Sequence, residues 1–315
     1  MSGGFAVLLD DVEDLAQDLA RFALADAPAS CSDRDGSGSD GDDRPPRPRG
    51  ADIVRVAPST VAPPERPLTS TPPRVILLDD PGSCADAMRE LIARGETCAV
   101  DFEGVALSRT GAVSLAQVAP PNGPVYLVDV ACMGAAAFDE GRLGELLGAQ
   151  HPLKLVFDCR GDADALHHQF GVRMRGVFDV QVAFCLKKDK DHGGKRGAYL
   201  MGLRKALKEC PGLDDEARHE LDRIKSAGAS LFAPELGGTY DAWTKRPMHP
   251  DLIKYAAADV MYLHHMHRAW RLFVGEKKMA AVTERRMRER IESPEGLEQG
   301  TEAAKRRGSR REKFF

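Results

Sequence analysis

TCAVDFEG, residues 97–104, is a run of mainly apolar residues that is interrupted by two acidic ones, Asp101 and Glu103. Its length and composition are typical of a β-strand. Because successive strand side chains point to opposite faces, Asp101 and Glu103 point to the same face. Two carboxylates that converge on an apolar strand repel each other, and a metal ion would compensate their charge. A D-x-E pair alone is more often a solvated strand end, so this pair needs support from elsewhere in the chain.

The segments on either side of this run alternate between strand and helix patterns. Strands are predicted at RVILLDD (74–80), AVSLAQVA (112–119), VYLVDV (125–130) and LKLVFD (153–158), and helices at CADAMRELIARG (84–95, after an N-cap at Ser83), near 139–148 and at GDADALHHQFG (161–171). The connections SRTG and PPNGP suit antiparallel hairpins. After VFDVQVAFCL (177–186) the chain is mainly helical. The pattern predicts an α/β fold with a mixed sheet flanked by helices.

The ends of the chain differ in composition from the middle. The net charge is -4, but the first 74 residues carry 13 acidic residues against eight arginines, and the remainder is nearly neutral. The spacing of apolar residues at 5–25 fits a short helix that binds a protein partner or stays solvated, and the Ser-, Asp-, Gly- and Pro-rich stretch after it predicts disorder. We therefore expect a mostly disordered tether at 1–73, a folded domain at 74–275, and a helical extension with a basic tail at 276–315.

Cysteine usage and hydropathy bear on the compartment. The seven cysteines are scattered and form no C-x-x-C pair, which argues against a zinc site or a disulfide framework and favours a reducing compartment. No apolar run approaches the roughly 18 residues that a membrane span needs, and the N-terminus lacks the positive region of a secretory signal. We expect no membrane association and a cytoplasmic or nuclear location.

A second acidic segment, FDCRGDADALHHQFG at 157–171, follows a predicted strand and opens a helix. Asp158, Asp162 and Asp164 compete for a functional role there, and Asp162 lies best for a side chain in the first helical turn. A carboxylate at a helix start also interacts favourably with the helix dipole, which is an equally good explanation of Asp162 or Asp164. The segment by itself does not choose between these explanations.

The third segment, LIKYAAADVMYLHHMH at 252–267, has a strong helical pattern. Tyr255 and Asp259 are four residues apart and therefore share a helix face. The three alanines between them leave room for this helix to pack closely on a sheet and bring that face toward the strand acids. A helix with one buried tyrosine and one surface aspartate is the ordinary alternative.

Together, AVDFEG, FDCRGDADALHHQFG and YAAAD resemble the three motifs of the DEDD superfamily of 3′-5′ exonucleases, in the branch with tyrosine in the third motif. The resemblance extends over about residues 74–273 and is closest to the ribonuclease D-like group, among proteins related to Egalitarian and the exonuclease 3′-5′ domain-containing proteins. It implies a ribonuclease H-like fold. It also implies that Asp101, Glu103, Asp162 and Asp259 bind two Mg²⁺ ions, which Mn²⁺ can replace, and that Tyr255 orients the attacking water.

This resemblance implies a metal-dependent 3′-5′ exonuclease that hydrolyses single-stranded nucleic acid, RNA more than DNA, from a free 3′ end. The alternative is an RNA-binding adaptor that keeps the nuclease fold with little or no catalysis. Lys187, Lys188, Lys195 and Arg196, in the stretch KKDKDHGGKRG, are the internal candidates for phosphate contacts, although a solvated loop explains them equally well. The tail AAKRRGSRREKFF fits a phosphate-binding arm or a nuclear localisation signal.

Overall fold

A computed structural model describes residues 74–191, 201–273 and 276–293 of the 315-residue chain. The predicted N-terminal tether and the basic C-terminal tail both lie outside these residues. The predicted N-terminal helix, with its protein partner, therefore stays a prediction.

One sheet holds the strands of the described residues together. They are β1 (Val75–Leu78), β2 (Cys98–Gly104), β3 (Val113–Ala119), β4 (Val125–Val128), β5 (Lys154–Val156) and β6 (Val177–Asp179). Their order in the sheet is β1-β4-β3-β2-β5-β6. β2, β3 and β4 form an antiparallel meander, whereas β1 pairs with β4, β5 with β2 and β6 with β5 in parallel. The predicted α/β fold with a mixed sheet is confirmed.

Helices cover both faces of this sheet. They are α1 (Pro81–Arg94), α2 (Val130–Met133), α3 (Leu143–Gly148), α4 (Arg160–Phe170), α5 (Val180–Asp191), α6 (Leu203–Lys208), α7 (Asp215–Phe232), α8 (Pro250–Met261), α9 (Leu263–Trp270) and α10 (Glu276–Glu292). Short 3₁₀ helices lie at Gly134–Ala137, Pro234–Leu236, Tyr240–Trp243 and Arg271–Phe273. One apolar core joins the sheet to α5 through α9, and a second joins its other face to α1, α3 and α4. Helix α10 contributes Met279 to the first core and Met287 to the second.

The alternation of β2 decides which core its acidic residues face. Ala99 belongs to the core on the α8 side, and Val100 and Phe102 belong to the core on the α1 side. Asp101 and Glu103 continue the register of Ala99, so they lie on the α8 side of the sheet. Helix α8 packs against β2, β3 and β4 on that side. The fold thus directs the two strand acids toward the helix that carries the third motif.

Two local predictions from the sequence are wrong. Ser83 is not the N-cap of α1, because the helix begins at Pro81 and the Asp80 carboxylate accepts the Ser83 backbone N–H. Proline at the first helical position needs no backbone partner, which lets the helix start earlier. Residues 187–191 were expected in a loop but form the last five residues of α5.

Within the described residues, no helix is both long and apolar enough to cross a membrane.

Candidate metal centre

Three carboxylates meet between the sheet and α8. Asp101 and Glu103 project from β2, and Asp259 projects from α8. One oxygen from each lies within 4.8 Å of the others. Asp259 is buried, with 6% of its surface exposed, whereas Asp101 and Glu103 are half-buried. The two strand acids are therefore more accessible to solvent than Asp259.

The sequence of α8 explains how Asp259 reaches the sheet. The helix starts at Pro250 after an N-cap at His249, whose ring nitrogen accepts the Asp251 backbone N–H. Ala256, Ala257 and Ala258 are all completely or almost completely buried, so the helix backbone approaches the strands closely. Asp259 follows this run on the face turned to β2.

The structure separates the three aspartates of the second segment. Asp158 forms an ion pair with Arg160 at 2.7 Å, and Asp164 forms one with Arg109 at 2.7 Å. Asp162 lies in the first turn of α4 and is 8% exposed. No hydrogen bond or ion pair to its carboxylate is found in the described part of the chain. Because Asp158 and Asp164 are held in ion pairs, Asp162 is the one of the three whose carboxylate is available to bind a metal ion.

Asp162 stands beside the three-carboxylate group and is not a member of it. The negative charge of Asp101 nevertheless contributes to the raised pKa of Asp162, after the larger effect of burial. The structure thus brings Asp101, Glu103 and Asp259 together and places Asp162 as their electrostatic neighbour.

Removal from water and mutual repulsion both act on these acids. Burial, followed by the charge of Asp259, raises the pKa of Asp101 to about 8. Burial and the charges of Asp259 and Asp101 raise the pKa of Glu103 well above its usual range, and burial raises that of Asp259. Such shifts mean that the ionised group of carboxylates is unfavourable by itself. A divalent cation would reverse that balance.

The donors present fit a hard divalent cation. All four acids offer carboxylate oxygens, which Mg²⁺ and Mn²⁺ prefer over nitrogen or sulfur. The Oδ2 atom of Asp259 is buried and has no hydrogen-bond partner among the described residues. A buried acceptor of this kind is costly unless a ligand satisfies it. The residues therefore fit the metal ions that the sequence predicts.

A lysine that sequence reasoning missed also reaches the site. The Lys225 Nζ atom, from α7, lies 2.5 Å from Asp259 Oδ1 and 3.1 Å from the centroid of the Tyr255 ring. Gly228, one turn further along α7, permits this approach, because a Cβ atom there would lie only 2.5 Å from the Tyr255 Cβ atom. The available signal was a lysine in register with the apolar face formed by Leu221, Ile224 and Gly228.

Tyr255 lies between α7 and α8 with its ring held on several sides. Phe232 meets it edge-on at 5.1 Å between ring centroids, and Trp243 does so at 6.1 Å. Burial, followed by the charges of Asp259 and Glu103, raises the pKa of the Tyr255 hydroxyl. The phenol therefore remains protonated and can donate a hydrogen bond at neutral pH.

Gln117 is a second polar residue beside the acids. It is the cross-strand partner of Asp101 on β3, so both side chains emerge on the same face. Gln117 is fully buried, and neither its amide nitrogen nor its amide oxygen has a hydrogen-bond partner in the described residues. It adds an unsatisfied donor and acceptor next to the carboxylates.

Two of the four predicted phosphate contacts fall within the described residues. Lys187 pairs with Asp191 within α5, and the Lys188 Nζ atom lies 3.0 Å from a carboxylate oxygen of Glu209. Lys195 and Arg196 fall outside the described residues. Both lysines that the structure describes are thus engaged with acidic side chains, and their contact with nucleic acid stays a prediction.

Comparison of the sequence with a protein-family model and with curated proteins identifies the family of this chain. The family model described as 3′-5′ exonuclease matches residues 82–272. The piRNA biogenesis protein EXD1 of Mus musculus is 32% identical over 177 residues, covering 55% of this chain and 28% of the mouse protein. EXD1 of Xenopus laevis is 33% identical over 163 residues, covering 51% of this chain and 34% of the frog protein. The chain thus aligns with about a third of the length of these curated relatives.

Solved structures show the same fold. The Trypanosoma brucei RNase D–GMP complex superposes with a TM-score of 0.52 and 25% identity, covering 70% of this chain and 63% of that one. The T. brucei RNase D complex with RNA U12 gives 0.52 and 24% identity, covering 70% of each chain. Escherichia coli RNase D gives 0.51 and 17% identity, covering 70% of this chain and 51% of that one.

Proposed function

Because this chain belongs to the 3′-5′ exonuclease family, we propose that it hydrolyses the terminal phosphodiester bond at the 3′ end of single-stranded RNA with two divalent ions. The observation that carries the proposal is the meeting of Asp101, Glu103 and Asp259 within 4.8 Å, with Asp162 beside them. These are the four acids that the family's motifs require, and none has been replaced. Mg²⁺ is the expected metal, with Mn²⁺ as a substitute.

The acids divide between two ions. In this proposal Asp101, Glu103 and Asp259 would hold one ion, and Asp101 and Asp162 would hold the other. When bound, the two ions would supply activation of the attacking water and stabilisation of the leaving oxygen. The protein supplies the carboxylates in fixed positions, because β2 belongs to the sheet and α8 packs tightly onto it.

Tyr255 has the properties of an orienting group. Its raised pKa keeps the hydroxyl protonated, so the side chain can donate a hydrogen bond to the attacking water but does not remove a proton from it. Its ring is fixed by Phe232, Trp243 and Gly228. We therefore assign Tyr255 to positioning the water.

RNA is the favoured substrate because of the relatives. A T. brucei RNase D structure contains RNA U12, and the curated relatives are named for piRNA biogenesis. The four acids act on a phosphate and do not read a 2′-hydroxyl, so the choice between RNA and DNA depends on other contacts.

The full chain should be incubated with matched single-stranded RNA and DNA that carry a 5′ label, with Mg²⁺, with Mn²⁺ or with EDTA. The proposal predicts stepwise shortening of the RNA from its 3′ end that stops in EDTA and slows on DNA. A 3′-terminal phosphate on the RNA serves as the polarity control and should block shortening. Binding of RNA without cleavage under either metal would instead favour the adaptor function.

A further inference from the structure

Lys225 lies in the middle of α7, and its ammonium group contacts two residues of the candidate metal centre. Its side chain is 10% exposed. The ammonium group donates to Asp259 Oδ1 at 2.5 Å and lies over the Tyr255 ring at 3.1 Å from the centroid. A lysine at this depth is uncommon unless it is paired. Its location therefore needs an explanation that involves the carboxylates.

The charge of Lys225 acts on the whole carboxylate group. It lowers the pKa of Asp101, Glu103 and Asp259, although burial outweighs it at each of them. Lys225 can lie over the Tyr255 ring because Gly228 leaves no side chain between α7 and Tyr255. Lys225 is therefore a positive charge that the protein carries inside its own group of acids.

A divalent cation and this ammonium compete for the same oxygens. Asp259 Oδ1 already accepts the Lys225 hydrogen bond, whereas Oδ2 of the same carboxylate is buried without a partner. A metal ion in this group would add two positive charges beside the ammonium, and like charges in a partly desolvated site repel strongly. Metal binding must therefore displace Lys225 or overcome its repulsion.

We propose that Lys225 is an internal counter-ion: it stabilises the carboxylate cluster without metal and raises the metal concentration at which the cluster is filled. The inference rests on the proposed metal-dependent function and adds a control over when that site is loaded. Lys225 acts through the acids as a positioning residue. The family's motifs, as matched in this chain, do not contain it.

The test measures Mn²⁺ binding to the full chain without nucleic acid, by calorimetry and by the electron paramagnetic resonance of free Mn²⁺. Lys225→Met removes the charge and keeps much of the side-chain length. Arg223→Met is the matched control, because Arg223 lies on the same helix with 70% of its side chain exposed and pairs with Glu220. We expect Lys225→Met to bind Mn²⁺ on the order of tenfold more tightly, as the loss of a modest competing interaction implies. Arg223→Met should bind as the wild type does.

Thermal unfolding separates this role from a purely structural one. In EDTA, Lys225→Met should have a lower Tm than the wild type, and saturating Mn²⁺ should raise its Tm by more than it raises that of the wild type. If Lys225 only supported the fold, its substitution would lower the Tm equally in EDTA and in Mn²⁺, and the increase in Tm caused by Mn²⁺ would be the same as in the wild type. Equal or weaker Mn²⁺ binding by Lys225→Met would overturn the proposal.

Two further results keep the test decisive. If Lys225→Met does not fold without metal, Lys225→Gln retains a hydrogen-bond donor and is judged by the same affinities; if neither variant folds even with Mn²⁺, Lys225 serves only the fold and the proposal fails. Asp101→Asn distinguishes the two levels of inference. If Asp101→Asn binds Mn²⁺ as tightly as the wild type does, the proposed metal centre is wrong. If Asp101→Asn weakens Mn²⁺ binding but Lys225→Met does not tighten it, only the counter-ion role of Lys225 is wrong.

Discussion

Arg286 on α10 should be one of the most important side chains for stability, although it lies outside the segment that the family model matches. Its guanidinium donates to Asp179 at 2.6 Å and to the Gln181 side chain at 3.2 Å, and it reaches Asp158 at 3.5 Å. Asp179 is 1% exposed, so Arg286→Met would leave a buried carboxylate without its cation. Removing one partner of a buried pair costs about 3–5 kcal/mol.

This cost converts into a measurable change in melting temperature. For a domain of this size, each kcal/mol lowers Tm by about 2–4 °C, so Arg286→Met should lower it by about 6–20 °C. Arg288→Met is the control, because Arg288 is exposed on the same helix and should change stability by no more than about 0.5 kcal/mol. Thermal and urea unfolding of the two variants measure the difference.

The pH dependence of the defect gives a second check. Burial already raises the pKa of Asp179 in the presence of Arg286, and loss of the arginine should raise it further. Asp179 then becomes protonated in the folded variant at mildly acidic pH, so the defect should be smaller at pH 5 than at pH 8. Adding Asp179→Asn to Arg286→Met should restore much of the lost stability. An Arg286→Met variant as stable as Arg288→Met at both pH values would refute the reasoning.

Three further predictions concern single side chains. Gly228→Ala should destabilise the protein by about 1–3 kcal/mol and lower kcat, because its methyl group would collide with Tyr255; unchanged thermal unfolding would contradict this. Burial lowers the pKa of Lys154 to about 8, so the charged lysine destabilises the folded protein at pH 7. After the loss of one hydrogen bond, Lys154→Met should therefore raise the free energy of unfolding at pH 7 by about 2 kcal/mol. This increase should shrink from pH 8 to pH 10, because the wild-type lysine then becomes neutral in the folded state. In EDTA the wild type should lose stability relative to Asp101→Asn as pH rises from 5 to 8, because the pKa of Asp101 in the folded protein is raised to about 8. A difference in free energy of unfolding between the two proteins that stays constant from pH 5 to pH 8 would contradict this prediction.

The sequence predicted those features that depend on local periodicity. The period of two placed Asp101 and Glu103 on one strand face, and the spacing of four placed Tyr255 and Asp259 on one helix face. The meander and the mixed sheet followed from the order of strand and helix patterns. The convergence of the strand acids with α8 depends on tertiary packing, and it was suggested by the run of three alanines before Asp259 and by the resemblance to a known family.

Features that depend on distant partners were not predictable in this way. Asp162 was separated from Asp158 and Asp164 by resemblance, whereas the structure separates them by their ion pairs with Arg160 and Arg109. Arg109 is 55 residues from its partner, a separation at which sequence spacing carries no information on pairing.

Helix α10 illustrates the same limit. Its sequence EKKMAAVTERRMRERIE holds six basic and four acidic residues among its 17, a composition that suggests a solvated extension. In the structure Thr283, Arg286 and Met287 are buried, and the helix packs on α4 and β6. Arg286 pairs with Asp179 and Asp158, more than 100 residues earlier in the chain, and this contact joins one face of the helix to the core.

The most direct test of the central claim compares the wild type with Asp101→Ala on 5′-labelled single-stranded RNA in Mg²⁺. The account predicts a ladder of products shortened from the 3′ end by the wild type, and intact RNA with a normally folded Asp101→Ala variant. Equal shortening by the variant would contradict the assignment of Asp101 to the metal centre. Intact RNA with the wild type under both Mg²⁺ and Mn²⁺ would contradict the proposed catalysis.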